Sequence, residues 1–239
     1  MLRRLARCLA RGMKATMDVK EQKKELLDRL VKAGYIATKF VRQAMENVAR
    51  ENFLPDEVRS SAYEDRPLSI GLGQTISAPH MNAMMCSGLK LEGGKPLKIL
   101  EIGTGSGYHA ALCAEVLKLS GTGGHVYTIE RIQSLAEVAR ENIAKAGYGD
   151  TVTVIVSDGT LGHAPEAPYD RILVTAAAPR VPRALADQLA EDGILLIPVG
   201  DMHGYQTLYE VTKKEGKISQ KDICGVVFVP LIGTDGFSA

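Results

Sequence analysis

The chain has 239 residues and a mass of 25.7 kDa, with 45% apolar and 24% charged residues, ordinary values that exclude a disordered, collagenous or disulfide-stapled chain. Lys plus Arg at 29 against Asp plus Glu at 28 leave a net charge of +1, so no global field gathers a polyanion and nucleic acid is not an expected partner. The longest uncharged stretch, Pro67 to Leu89, is broken too often by Gly, Gln, Ser, Pro and Asn to cross a bilayer, and no membrane association is expected.

Residues 1–17 carry Arg3, Arg4, Arg7, Arg11 and Lys14 and no acid. They read either as an amphipathic targeting helix or as a basic flexible tail, and the tail is the preferred reading. From Val19 to Ala33, Leu26, Leu27, Leu30 and Val31 share one helical face, with Gly34 as the stop. Thr38 can cap a second helix in which Val41, Ala44, Met45 and Val48 recur until Pro55 ends the pattern. Residues 56–80 then lose any period and collect Pro67, Gly71, Gly73 and Pro79, which predicts a long functional loop. Met81, Met84 and Met85 follow at helical spacing and read as core.

After Pro96 the texture changes. Apolar runs at Lys98–Ile102, His125–Ile129, Val152–Val156, Arg171–Thr175 and Ile194–Pro198 alternate with helical patterns at Tyr108–Leu119, Ile132–Ala146 and Pro182–Ala190. This βαβ alternation predicts an α/β fold, a Rossmann-like doubly wound and mostly parallel sheet with helices on both faces. Residues 206–231 predict an antiparallel hairpin forming a C-terminal β edge. The expected organisation is one domain over 18–239, with a helical appendage and substrate loop (18–95), a cofactor-binding core (96–200) and C-terminal β segments (201–239). The four cysteines, Cys8, Cys86, Cys113 and Cys224, form no CxxC pair, and the five histidines no HExxH. No metal site is expected, and reduced cysteines point to a cytoplasmic protein.

The first core strand empties into Glu101-Ile102-Gly103-Thr104-Gly105-Ser106-Gly107. Such glycines permit a tight turn and let a nucleotide-like cofactor approach the backbone at a helix N-terminus. Residues 105–110 also spell GxGxxA, the pattern of a nicotinamide dinucleotide site, which keeps an oxidoreductase in view. Register favours another cofactor: the turn begins at Gly103, and Glu101 would repel a pyrophosphate but suits a cationic ligand.

The loop resembles the E/DxGxGxG motif of Rossmann-like S-adenosylmethionine-dependent methyltransferases, matched by Glu101, Gly103, Gly105 and Gly107. The resemblance implies that Glu130, ending the second strand, accepts the ribose hydroxyls, and that Asp158 with Gly159, ending the third, meets the adenine amino group. Asp158-Gly159 can also be a simple turn pair. Upstream, Ala62-Tyr63-Glu64-Asp65-Arg66-Pro67-Leu68 and Gly73-Gln74-Thr75-Ile76-Ser77-Ala78-Pro79-His80-Met81 resemble the protein-L-isoaspartate O-methyltransferases. Arg50 with Phe53-Leu54-Pro55, Val174 to Pro179, Ile197 to Gly200 and Phe228 to Leu231 extend the match over nearly the whole chain; the basic extension before Met17 departs from it.

That resemblance implies methyl transfer from S-adenosylmethionine to the free α-carboxyl of L-isoaspartyl residues in damaged proteins, starting repair through a succinimide. The expected partners are isoaspartyl peptides and proteins, and the expected state is a monomer. A carboxylate, with an ordinary pKa of about 3.9, is already ionised at neutral pH, so no general base is needed and positioning should dominate. Thr75, Ile76, Ser77, His80 and Ala177 are the candidate substrate residues. Ser77 is the candidate catalytic group, donating to the substrate carboxylate, with a local loop-stabilising hydrogen bond as the alternative. His80 reads equally as packing beside the cofactor, and Ala177, in Ala176–Ala178, either leaves room for a peptide backbone or packs tightly.

Overall fold

The computed structural model describes residues 18–238 except His203, so the basic segment before Asp18 and the choice between its two readings lie outside the described residues. Helix α1 (Val19–Lys32) buries the stripe Leu26, Leu27 and Leu30; Asp18 caps its start, and Gly34, at φ +80°, follows its end. Helix α2 (Lys39–Asn47) starts at Thr38, whose Oγ1 accepts from the Val41 N–H at 3.3 Å. It stops well before Pro55, because a 3-10 turn over Arg50–Phe53 takes over and turns Arg50 and Phe53 inward.

Residues 56–80 contain more structure than their sequence suggests. A one-turn helix α3 (Asp56–Arg59) precedes a hairpin of β1 (Leu68–Gly71) and β2 (Gln74–Ile76). Strands of four and three residues are too short to display a period of two. The turn between them, with Leu72 at φ 53° and Gly73 at φ 70°, matches the twist of the hairpin. Helix α4 (Pro79–Gly88) begins with Pro79 in its first turn; Met85 is core, whereas Met81 and Met84 are half-buried.

The main sheet has seven strands in the order β5-β4-β3-β6-β7-β8-β9. The strands β3 (Leu97–Ile102), β4 (Gly124–Glu130), β5 (Val152–Val156), β6 (Tyr169–Val174) and β7 (Leu189–Gly200) are parallel. The hairpin of β8 (Gln206–Lys214) and β9 (Lys217–Val226) adds antiparallel to β7, the expected β edge. Helix α5 (Tyr108–Ser120) joins β3 to β4, α6 (Gln133–Lys145) joins β4 to β5, and α7 (Arg183–Gln188) precedes β7. Helix α7 ends sooner than its sequence pattern because Leu189 is already paired with Tyr169 in the sheet.

Alternation along the strands divides the core. Leu97 and Ile99 join a cluster with residues of α1, α2, α4, α5 and α6, while Leu100 and Ile102 join a second cluster with Leu185 of α7, Leu195 and Leu231. Helices thus cover both faces but unequally, one face being closed largely by α7, short turns and the C-terminal segment. The segment read as an appendage contributes Leu26, Leu30, Val41 and Met45 to the same cluster as α5, so it forms a layer of one shared core. No helix among the described residues is long and apolar enough to cross a membrane.

Candidate active site

The chain leaves β3 toward β4 and β5, then returns to add β6 on the other side of β3. Reversal of strand order at β3 and β6 opens a crevice at their carboxyl ends, the ligand position of such sheets. The glycine loop sits there. Gly103, at φ +91°, lies so close to the end of β6 that a Cβ would fall 2.3 Å from Thr175 Oγ1. Gly107, at φ +88°, would place a Cβ 2.9 Å from two carbons of Ile143 on α6. The first glycine admits Thr175, which donates to the carbonyls of Ile102 at 3.1 Å and Gly103 at 2.7 Å; the second lets α5 pack against α6.

Glu101 lies on the face of β3 that meets α4 and α5 and is 1% exposed. Thr128 Oγ1 donates to its Oε2 at 2.5 Å, while Oε1 has no partner. Burial pushes this carboxyl up to about 8; the Thr128 hydrogen bond opposes the shift and the Glu130 charge adds to it. Glu101 lines a small polar recess with Ser77, Asn82, Ser106 and His109. The Ser106 hydroxyl and His109 Nε2 are also buried without partners. Burial, aided by the Arg50 charge, pulls the His109 imidazole down to about 3, so it is neutral. A buried carboxyl with a free oxygen in such a recess suits a ligand carrying positive charge.

A second recess, lined by Gly103, Gly105, Glu130, Gly159 and Ala176, opens beside the first. Glu130 Oε2 accepts from the Gly105 N–H and Oε1 from the Ile132 N–H, both at 3.0 Å, which ties the end of β4 to the glycine loop and leaves further lone pairs for a diol. Asp158 is differently used. Its Oδ1 accepts from the Thr160 N–H and hydroxyl at 2.9 and 2.7 Å, and its Oδ2 from the Thr234 N–H at 2.7 Å. The backbone of Gly159 lines the recess, while the Asp158 side chain anchors the C-terminal segment.

A third cavity of about 1020 Å³ is mainly apolar, walled by Met81, Tyr205, Val226 and Phe228, with Ser77 and His80 at its polar end. Thr75 and Thr175 line all three spaces, and Ser77 lines both the polar recess and the large cavity. The Ser77 hydroxyl bonds to no other described residue, so the alternative of a local loop hydrogen bond finds no support; its carbonyl is held by Arg50. Ile76 is buried behind Ser77 and lines the polar recess.

His80 is tied to Asp65 twice, through its backbone N–H at 2.9 Å and Nδ1 at 2.8 Å, and faces the large cavity rather than the recess of Glu130. Ala177 is fully buried and lines none of these spaces. Its N–H donates to Val229 and its carbonyl accepts from Leu231, so its part is tight packing that pins the C-terminal wall. The sequence motifs leave Thr175 unmarked, although its place at the carboxyl end of a parallel strand is a usable signal.

Folding also gathers Cys86 of α4 with His109 and Cys113 of α5, whose ligand-type atoms lie within 4.8 Å of one another. Hydrogen bonding to Cys86, with burial, pushes the Cys113 thiol well above its ordinary range. The buried Cys113 thiol therefore stays protonated and behaves as a core group.

A model of the protein-L-isoaspartate(D-aspartate) O-methyltransferase family matches residues 21–236. The chain belongs to that family. It is 53% identical over 223 residues to the protein-L-isoaspartate O-methyltransferase of Hyperthermus butylicus, covering 91% of each chain. The enzyme of the same name from Ignicoccus hospitalis is 54% identical over 214 residues, covering 90% of this chain and 99% of its own. Among solved structures, a Plasmodium falciparum protein-L-isoaspartate O-methyltransferase in complex with S-adenosyl-L-homocysteine superposes with a TM-score of 0.76 at 32% identity, over 87% of this chain and 97% of that one. The α/β architecture is therefore that of the protein-L-isoaspartate O-methyltransferases. The buried Glu101 oxygen without a partner and the Glu130 carboxylate in the adjoining recess fit the cationic and diol groups of S-adenosylmethionine.

Proposed function

We propose that Ser77 is the residue that aims the carboxyl in the family's reaction, methyl transfer from S-adenosylmethionine to the α-carboxyl of an L-isoaspartyl residue in a damaged protein. The observation that carries this assignment is the position of Ser77, with an uncommitted hydroxyl, between the polar recess and the large cavity. S-adenosylmethionine, when bound, supplies an electrophilic methyl group. Glu101 and the glycine loop would hold its cationic end, Glu130 its ribose, and Gly159 with Ala176 would bound the second recess.

The Ser77 hydroxyl donates to one oxygen of the substrate carboxylate and leaves the other free to attack. His109, neutral and buried, adds no positive charge of its own beside the methyl donor. Met81, Val226 and Phe228 keep water from the reacting oxygen, and Tyr205 and His80 flank the peptide. No residue needs to remove a proton, because the attacking group is already ionised.

Ser77→Ala should therefore lower turnover at saturating isoaspartyl peptide by at least tenfold while leaving cofactor affinity nearly intact, since the lost hydrogen bond acts mainly in the transition state. Steady-state kinetics paired with calorimetry of cofactor binding decide it. Unchanged turnover would remove Ser77 from the mechanism.

A further inference from the structure

The segment Arg50 with Phe53-Leu54-Pro55 touches neither the cofactor recesses nor the large cavity, yet it contains the one buried Lys or Arg among the described residues. Arg50 is 1% exposed, and no carboxylate lies within 4.0 Å of its guanidinium among the described residues. Burial without such a partner is costly, and its pKa is lowered by that burial. A fold seeking stability alone would do better with an apolar side chain here.

The guanidinium is spent on three directed bonds. Nε donates to the Ala62 carbonyl at 2.9 Å, Nη1 to Asn82 Oδ1 at 3.1 Å, and Nη2 to the Ser77 carbonyl at 2.8 Å. Its Cζ also lies over the ring of Tyr108, 5.2 Å from the centroid, and Tyr108 is the residue that opens α5 after the glycine loop. Asn82 in turn contacts His109 Nδ1 at 3.2 Å in the wall of the polar recess. One rigid fork therefore ties the substrate loop, helix α4 and the start of the cofactor helix together, a task for which the flexible single ammonium of lysine is unsuited.

We propose that Arg50 is a positioning residue for methyl transfer: it fixes the Ser77 main chain, and through it the angle at which the Ser77 hydroxyl meets the substrate carboxylate. The inference rests on the assignment of Ser77 above. Arg50 touches no substrate, so its loss should fall on the chemical step rather than on binding. A misplacement of about 1 Å suffices for a hundredfold loss in rate.

The test is Arg50→Lys, which keeps the charge and removes the fork. In protein that binds S-adenosylmethionine with affinity within threefold of wild type, turnover should fall at least tenfold with the peptide KM changed less than threefold. In a Ser77→Ala background the same substitution should have almost no further effect, because the pathway it acts through is gone. A purely structural Arg50 would instead lower the melting temperature and leave turnover per cofactor-binding site unchanged, in either background; that result overturns the inference. If Arg50→Lys does not fold, Asn82→Ser decides in protein that still binds S-adenosylmethionine within threefold of wild type, since it removes the Nη1 acceptor together with the His109 contact: a several-fold fall in turnover that vanishes in the Ser77→Ala background supports the inference, and wild-type turnover, or a fall that persists in that background, overturns it. If Ser77→Ala alone leaves turnover unchanged, the Ser77 assignment fails first, and the two failures remain distinguishable.

Discussion

At the scale of single residues, the two acids of the site differ in what the fold asks of them. Glu130 sits at a strand end, where two backbone N–H groups bind it, whereas Glu101 is buried with one oxygen bonded by Thr128 and the other unpaired. Folding raises the Glu101 carboxyl from 4.5 to about 8, so the folded chain keeps a proton that the unfolded chain releases. Its contribution to stability is greatest below pH 4.5 and is lost as pH rises to about 8. His109, lowered from 6.5 to about 3, works in the opposite sense, its contribution being lost only as pH falls below 6.5. Between pH 6.5 and 8 the cofactor-free enzyme should therefore lose stability with rising pH, and Glu101→Gln should flatten that slope in thermal melts. Binding a cationic cofactor favours the ionised acid, so calorimetry at pH 7 in buffers of different ionisation enthalpy should report proton release. No release would mean that Glu101 does not face the cation.

At the scale of elements, the glycine loop and α5 depend on contacts that the loop's own residues do not reveal. Gly107 needs no side chain for a local reason, its left-handed φ, and for a distant one, the approach of Ile143 from α6. Gly107→Ala adds backbone strain and overpacking together, an expected loss of about 2 to 4 kcal/mol. Urea unfolding measures it, and a loss under about 1 kcal/mol would show that α6 yields freely. The hairpin of β1 and β2 gives another case, since its two short strands place Thr75 at the junction of all three spaces although no period announced it.

At the scale of the whole molecule, the large cavity forms because distant segments converge. Residues 75–80 supply its polar end and Met81 with 226–230 its apolar wall, and the wall is held by the Ala177 bonds to Val229 and Leu231. A peptide backbone clamped there presents an isoaspartyl carboxylate directly from Cα, whereas an aspartyl carboxylate reaches farther by one C–C bond, roughly 1.5 Å. Such an overshoot should cost at least about a hundredfold in rate between matched peptides. Comparable rates for isoaspartyl and aspartyl peptides would leave a carboxyl methyltransferase without this selectivity.

The sequence by itself determined the alternating architecture, the register of the glycine loop and the acids at Glu101 and Glu130, because these are local: strand period, turn chemistry and spacing act within a few residues. It also placed Ser77 and His80 near the site, from a motif read along the chain, although His80 stands in the first turn of α4 and not in a loop. Only the tertiary structure decided which candidates face a cavity. Ala177 and the Asp158 side chain are taken up by the C-terminal segment, which returns from more than fifty residues away, and Thr175 is admitted by the absence of a Cβ on Gly103. The role of Arg50 likewise depends on Ala62, Ser77 and Asn82 meeting in space. Hydrogen bonds and burial of that kind are properties of separations in space, and a pattern along the chain does not carry them.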